Sequence, residues 1–243
     1  MSRMPDGPTI GRSVLVATGL SLEARIAAGP GVVTLCSGGD PNRLRSLLST
    51  VDPHALRAVV SFGLAGGLDP ALRAGDLLIA TDVIAGIARW PTEERVTWAL
   101  AARLAEGSTP PRLGRVAGSD TVVSDPAAKA ALHETGAAAV DMESHVAAQF
   151  ASDHGLPFGV VRVICDPAGR ALPPLAQNAL EAQGHVDIAG IVRSLVRQPS
   201  QIGALIGLGR DFATALVALR RVRRLLGLGF GLADAGELVL DVT

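Results

Sequence analysis

Short β-branched runs alternate with helix-like segments along this chain, and that alternation limits its possible folds more than any other feature. Apolar runs recur at 13–18, 32–36, 58–62, 76–84, 137–141 and 158–164, with helix-like stretches near 41–50, 92–106, 126–135, 143–154 and 173–198. Near-continuous apolar strands are those covered on both faces, and strands separated by helices join by crossovers. The pattern predicts an α/β fold: a mostly parallel or mixed sheet with helices on both faces. A length of 243 residues, 48% of them hydrophobic, suits one sizeable core.

Ligands of open α/β sheets gather beyond the carboxyl ends of strands, so the residues after each run are the candidate site. Three ends carry chemistry. Gly63-Leu64-Ala65-Gly66-Gly67 follows the 58–62 run as a turn whose small residues, Ala65 and Gly66 among them, let a ligand approach backbone N–H groups. It is not a GxGxxG dinucleotide fingerprint, which weighs against a dehydrogenase. Asp141-Met142-Glu143 stands where a strand runs into a helix. Capping accounts for one of these acids and leaves the other for a ligand; Met142 reads equally as core filler. Asp166 ends the run VVRVIC before Pro167. It reads either as a turn residue or as an acid whose burial favours its protonated form and lets it donate a proton.

Composition excludes several classes. A net charge of −1 and a pI near 6.5 argue against a general nucleic-acid binder, which needs a basic surface. Of 22 basic residues only Lys129 is a lysine. Cys36 and Cys165 lack CxxC spacing, so neither a zinc site nor a disulfide framework is expected, and the compartment is reducing. No run reaches the roughly 20 apolar residues of a spanning helix, and the opening is too short for a secretory segment, so the expected location is cytoplasmic.

In order, spacing and setting, the glycine turn, the Asp-Met-Glu segment and the strand-end Asp resemble the nucleoside phosphorylase and nucleosidase family over roughly 13–197. The resemblance implies a three-layer α/β/α fold with a central mixed sheet, and cleavage of an N-ribosidic bond. It implies that Glu143 binds the ribose hydroxyls, Met142 packs under the sugar and Asp166 protonates the purine N7. An acid at N7 and a carboxylate near the ribose both favour a transition state with positive charge on the sugar and negative charge on the base. Glu23, in TGLSLEAR, stands where the nucleosidase branch keeps the Glu that activates water; it also reads as an ordinary helix-start acid.

Two departures matter. The phosphorylase branch carries an Arg before its glycine turn and a Ser just after the first glycine, where this chain has Ser61 and Leu64. If phosphate is a co-substrate, its candidate ligands are Arg25, Arg43, Arg45 and Arg89; no other cofactor and no metal is expected. Where nucleosidases stack an aromatic on adenine, Gly118-Ser119-Asp120-Thr121-Val122-Val123 offers only the apolar Val122 and Val123.

Past Pro199, Leu205, Leu208, Phe212, Ala215, Leu219, Val222 and Leu226 make one apolar helical stripe, with five arginines against Asp211. Such a helix packs on its own protein or a partner subunit, or lies on an anionic membrane. The organisation expected is a catalytic domain over 1–198 and a basic amphipathic helical extension over 199–243. The tail and the compact opening are similar to the hopanoid-associated phosphorylases, which implies adenosylhopane as substrate and peripheral membrane contact. The alternatives are a soluble 5′-thioadenosine-type nucleosidase and a non-catalytic nucleoside-binding protein. The resemblance also implies a homo-oligomer.

Overall fold

A computed structural model describes residues 12–107, 110–170 and 202–232. Its elements are β1 (Ser13–Thr18), α1 (Ser21–Ala27), β2 (Val32–Cys36), α2 (Pro41–Leu48), β3 (Leu56–Gly67), β4 (Leu77–Ala85), β5 (Ala88–Pro91), α3 (Glu94–Ala105), β6 (Arg112–Gly118), α4 (Pro126–Glu134), β7 (Ala137–Asp141), α5 (Ser144–Asp153), β8 (Phe158–Asp166) and α6 (Ile202–Leu226). The expected α/β fold with a mixed sheet is what these elements build. The helix expected over 173–198 lies outside the described residues.

The sheet runs β2-β1-β3-β7-β6-β4-β5, and β8 pairs with both β3 and β4. β1, β2, β3 and β8 are parallel neighbours; β7 meets β3, and β8 meets β4, in antiparallel register. The pairings β3–β8–β4–β6–β7–β3 close on themselves, so five strands form a ring and β1 and β2 extend from it. Closure leaves fewer unpaired edges than an open sheet.

Two differences from the sequence reading have physical causes. The segment 63–67 is not a turn: β3 runs unbroken to Gly67 because β8 pairs with it from Val59 to Gly66 and β7 takes over at Gly66 and Gly67. Strands β5 and β6 were missed; ARWP and RLGRVAG interrupt their apolar positions with arginine, glycine and proline, so period alone does not mark them.

One side of the sheet is covered by α1, α3 and α6, the other by α2 and α5. Ala215, Leu216, Leu219, Val222 and Leu226 of α6 are buried in one cluster with Val14, Val60, Phe62 and Val163. From Phe212 to Leu226 the apolar stripe of the tail is therefore part of the core. After α6, Phe230 is held at φ 59° between two left-handed glycines. Its ring stands edge-on to Phe62, centroids 5.2 Å apart, with the Arg223 guanidinium 4.9 Å from its centre. That packing offsets the cost of a left-handed aromatic residue.

Candidate active site

The site begins where β1 ends. Between Ser61, where the β1 pairing ends, and Gly66, where β7 begins, β3 has no strand partner on that side, so its backbone groups there must find side chains. Leu64 N–H donates to Glu23 Oε1 at 2.7 Å, and Leu64 C=O accepts from Arg162 NH1 at 3.2 Å. Glu23 sits in the first turn of α1, and its Oε2 accepts from Gly19 N–H and Leu20 N–H, each at 2.8 Å. Glu23 thus serves both as a helix-start acid and as a buried carboxylate on the strand end. Burial pushes its carboxyl above the ordinary range, opposed by Arg162 and the three backbone donors.

The two acids at the end of β7 make different contacts. Asp141 accepts from Glu143 N–H at 3.1 Å and Ser144 N–H at 2.8 Å, which fixes the start of α5, and pairs with Arg162 Nε at 2.7 Å. Glu143 is left free to face the strand ends. Its Oε1 accepts from Ser37 Oγ at 3.1 Å, and its Oε2 lies 3.6 Å from Arg162 NH2. Burial, with the neighbouring Asp141 and Glu23 charges, raises its carboxyl to about 7 in spite of Arg162 and Ser37. Met142, half-buried, sits between the two acids.

Arg162, fully buried in the middle of β8, organises the set. Besides Asp141, Glu143 and Leu64 C=O, it donates to Ser61 Oγ at 2.5 Å and Ser144 Oγ at 3.2 Å. Sequence reasoning passed over it, although a charged residue inside VVRVIC is a signal: a buried guanidinium survives only when carboxylates surround it. Ser37, Ser61 and Ser144 carried no comparable signal.

Asp166 closes β8, and Pro167, having no N–H to donate, ends the pairing. That acid is not alone: Lys129 Nζ of α4 donates to its Oδ2 and Cys165 Sγ to its Oδ1. Burial and the adjacent Asp166 push the Cys165 thiol well up, which keeps it a neutral donor. A Cβ on Gly66 would stand 3.3 Å from both Asp166 oxygens, and Ala65 C=O faces Cys165 Sγ. The small residues of β3 thus border the acid without covering it. Val122 and Val123 are half-buried beyond β6, and Val123 packs on Leu68, Ala117 and Val140.

The four arginines considered for phosphate do not converge here. Arg45 pairs with Asp120 at 3.0 Å and Arg89 with Asp82 at 2.8 Å, while Arg25 and Arg43 are exposed on α1 and α2. Among the described residues no helix is long and apolar enough to cross a membrane.

A family model described as the phosphorylase superfamily matches residues 25–197. The 5′-methylthioadenosine/S-adenosylhomocysteine nucleosidase of Marinomonas sp. (strain MWYL1) is 32% identical over 179 residues, covering 63% of this chain and 75% of the relative. The nucleosidase of the same name from Bacillus cereus (strain B4264) is 28% identical over 166 residues, 60% of this chain and 72% of the relative. Among solved structures, the Campylobacter jejuni nucleosidase of that name superposes with a TM-score of 0.60 at 19% identity, over 86% of this chain and 99% of that one. The family match and these relatives together define an enzyme that cleaves a glycosidic bond. Within that class, the chain belongs to the phosphorylase superfamily.

Proposed function

We propose that the protein hydrolyses the N-ribosidic bond of an adenine nucleoside bearing a short 5′-thio substituent and releases adenine. The observation that carries this reading is Glu23: a third carboxylate, after Asp141 and Glu143, around Arg162, buried, with both oxygens oriented by backbone N–H groups. Burial makes it the more basic, which suits removal of a proton from water. The names of the matched relatives favour the same substrate class, and the adenosylhopane expectation gives way to it.

The roles follow from charge. Glu143 accepts hydrogen bonds from the ribose hydroxyls, with Met142 against the sugar, while Val122 and Val123 give the base apolar contact. As the C1′–N9 bond breaks, its electron pair passes to the purine and Asp166 gives a proton to N7. Water adds its oxygen to C1′ and leaves its proton on Glu23. Positive charge on the sugar is met by buried carboxylates, where such interactions are strong. Phosphate is disfavoured as nucleophile because Arg162 is already enclosed by acids and hydroxyls. A homo-oligomer belongs to the same proposal, with exposed Ile87, Trp98 and Leu228 as apolar surface available to it.

The test is adenine release from 5′-methylthioadenosine and from adenosylhopane, each with and without phosphate. Release from the thio-nucleoside alone, with free sugar and no phosphate dependence, is expected. A phosphorylated sugar would transfer the nucleophile's role to phosphate, and preference for adenosylhopane would restore the bulky-substituent reading.

A further inference from the structure

Every basic residue of this chain but one is an arginine, and the exception, Lys129, has no exposed surface. Its Nζ donates to Asp166 Oδ2 and, at 3.3 Å, to Pro167 C=O. A buried ammonium is retained only where a carboxylate and further acceptors satisfy it. A compact point charge can also meet a single carboxylate oxygen end-on, where the guanidinium fork would demand two. On its other oxygen Asp166 receives the neutral Cys165 thiol, and beside it lies the backbone of Gly66. Among the described residues Lys129 is thus the one charged group shown bonding to this acid, reaching it from α4.

We propose that Lys129 is a positioning residue for proton donation, holding the Asp166 carboxyl in place and stabilising the anion that donation creates. The inference rests on the reading of Asp166 given above. When the C1′–N9 bond breaks, its electron pair enters the purine, the proton leaves the Asp166 carboxyl for N7, and Asp166 becomes a carboxylate facing the ammonium. It is reprotonated from solvent after adenine departs. The attraction grows as the proton leaves, so it acts on the transition state more than on substrate binding. The effect should fall on kcat and spare KM.

The experiment measures adenine release from 5′-methylthioadenosine by the full chain, by Asp166→Asn, by Lys129→Met and by the double variant. Asp166→Asn should lose about 100-fold or more in kcat, the scale of general acid catalysis. Lys129→Met should lose about 10- to 100-fold in kcat with KM within about threefold, the signature of an interaction made in the transition state. The double variant should be no slower than Asp166→Asn by more than about threefold, because a residue acting through another adds nothing once that other is gone. It should also melt above Asp166→Asn, which strands a buried ammonium. Lys129→Arg, keeping the charge, should recover part of the kcat lost in Lys129→Met. A Lys129→Met enzyme with kcat within about threefold of the full chain would overturn the inference, as would a double variant slowed by the whole Lys129→Met factor, the result of a purely structural role. Should Lys129→Met fail to fold, the double variant, with no charge left unpaired, carries the comparison against Asp166→Asn. Undiminished kcat in Asp166→Asn, with Lys129 intact, would remove the proton-donor reading itself and this inference with it.

Discussion

Glu143 pairs function with an energetic cost. Its carboxyl, raised to about 7, keeps a proton in the fold that the unfolded chain, titrating near the ordinary 4.5, has already lost. The unfolded state binds fewer protons across that interval, so the stability contributed by this group falls as pH rises from about 4.5 through 7. Glu143→Gln should therefore raise Tm relative to the unchanged protein more at pH 8 than at pH 5, while removing the acceptor for the ribose hydroxyls. An equal Tm difference at both pH values would show that the group carries no such penalty. In the unchanged protein, kcat/KM should rise with pH through about 7 as Glu143 ionises. A neighbouring constraint is Gly63: a Cβ there would stand 2.7 Å from Glu23 Cδ and 2.8 Å from Arg162 NH1. Gly63→Ala should cost at least about tenfold in kcat/KM with the fold kept, since small misplacements of reacting groups are expensive. Normal activity in that variant would argue against Glu23 as the base. Asp141, Glu143 and Asp166 were legible in the sequence because acids at strand ends are conspicuous. Lys129 was visible only as an oddity of composition, since nothing local says that α4 brings it to the end of β8.

Helix α6 shows how an amphipathic stripe can be legible while its partner is not. The 3–4 spacing marked Ala215, Leu219, Val222 and Leu226 as one face, and that face is buried against the sheet. Spacing alone is the same for a helix on a membrane and a helix on its own core, because both hide an apolar face. The fold predicts a sharp contrast along this element. Leu219→Ala, at a fully buried position, should cost about 2–5 kcal/mol in denaturant unfolding. Val217→Ala, at 55% exposure, should change stability by less than about 0.5 kcal/mol. The reverse order would mean that the helix is turned the other way. Strands β5 and β6 are the opposite case: their polar and small residues hid them from any periodicity, yet pairing with β4 gives both a place in the sheet.

At the scale of the molecule, the class of fold was legible and its closure was not. Alternating runs announce a layered α/β protein, but the ring of β3, β8, β4, β6 and β7 depends on antiparallel meetings between strands far apart in sequence. No local signal specifies such meetings. The tail is bound into this whole. Phe230 packs on Phe62, and α6 covers β3 and β8. A chain ending at residue 198 should consequently expose Phe62, Val60 and Val163, bind a hydrophobic dye and lose its cooperative melting transition. Retention of both solubility and a sharp transition would make α6 dispensable to the core. The same packing sets an order of events at the ribosome. Strand β1 emerges about 200 residues before the cluster it joins is completed by residues 215–232. Until those residues emerge, that side of the nascent sheet has only α1 and α3 over it, and a chaperone that shields apolar surface would find the rest bare.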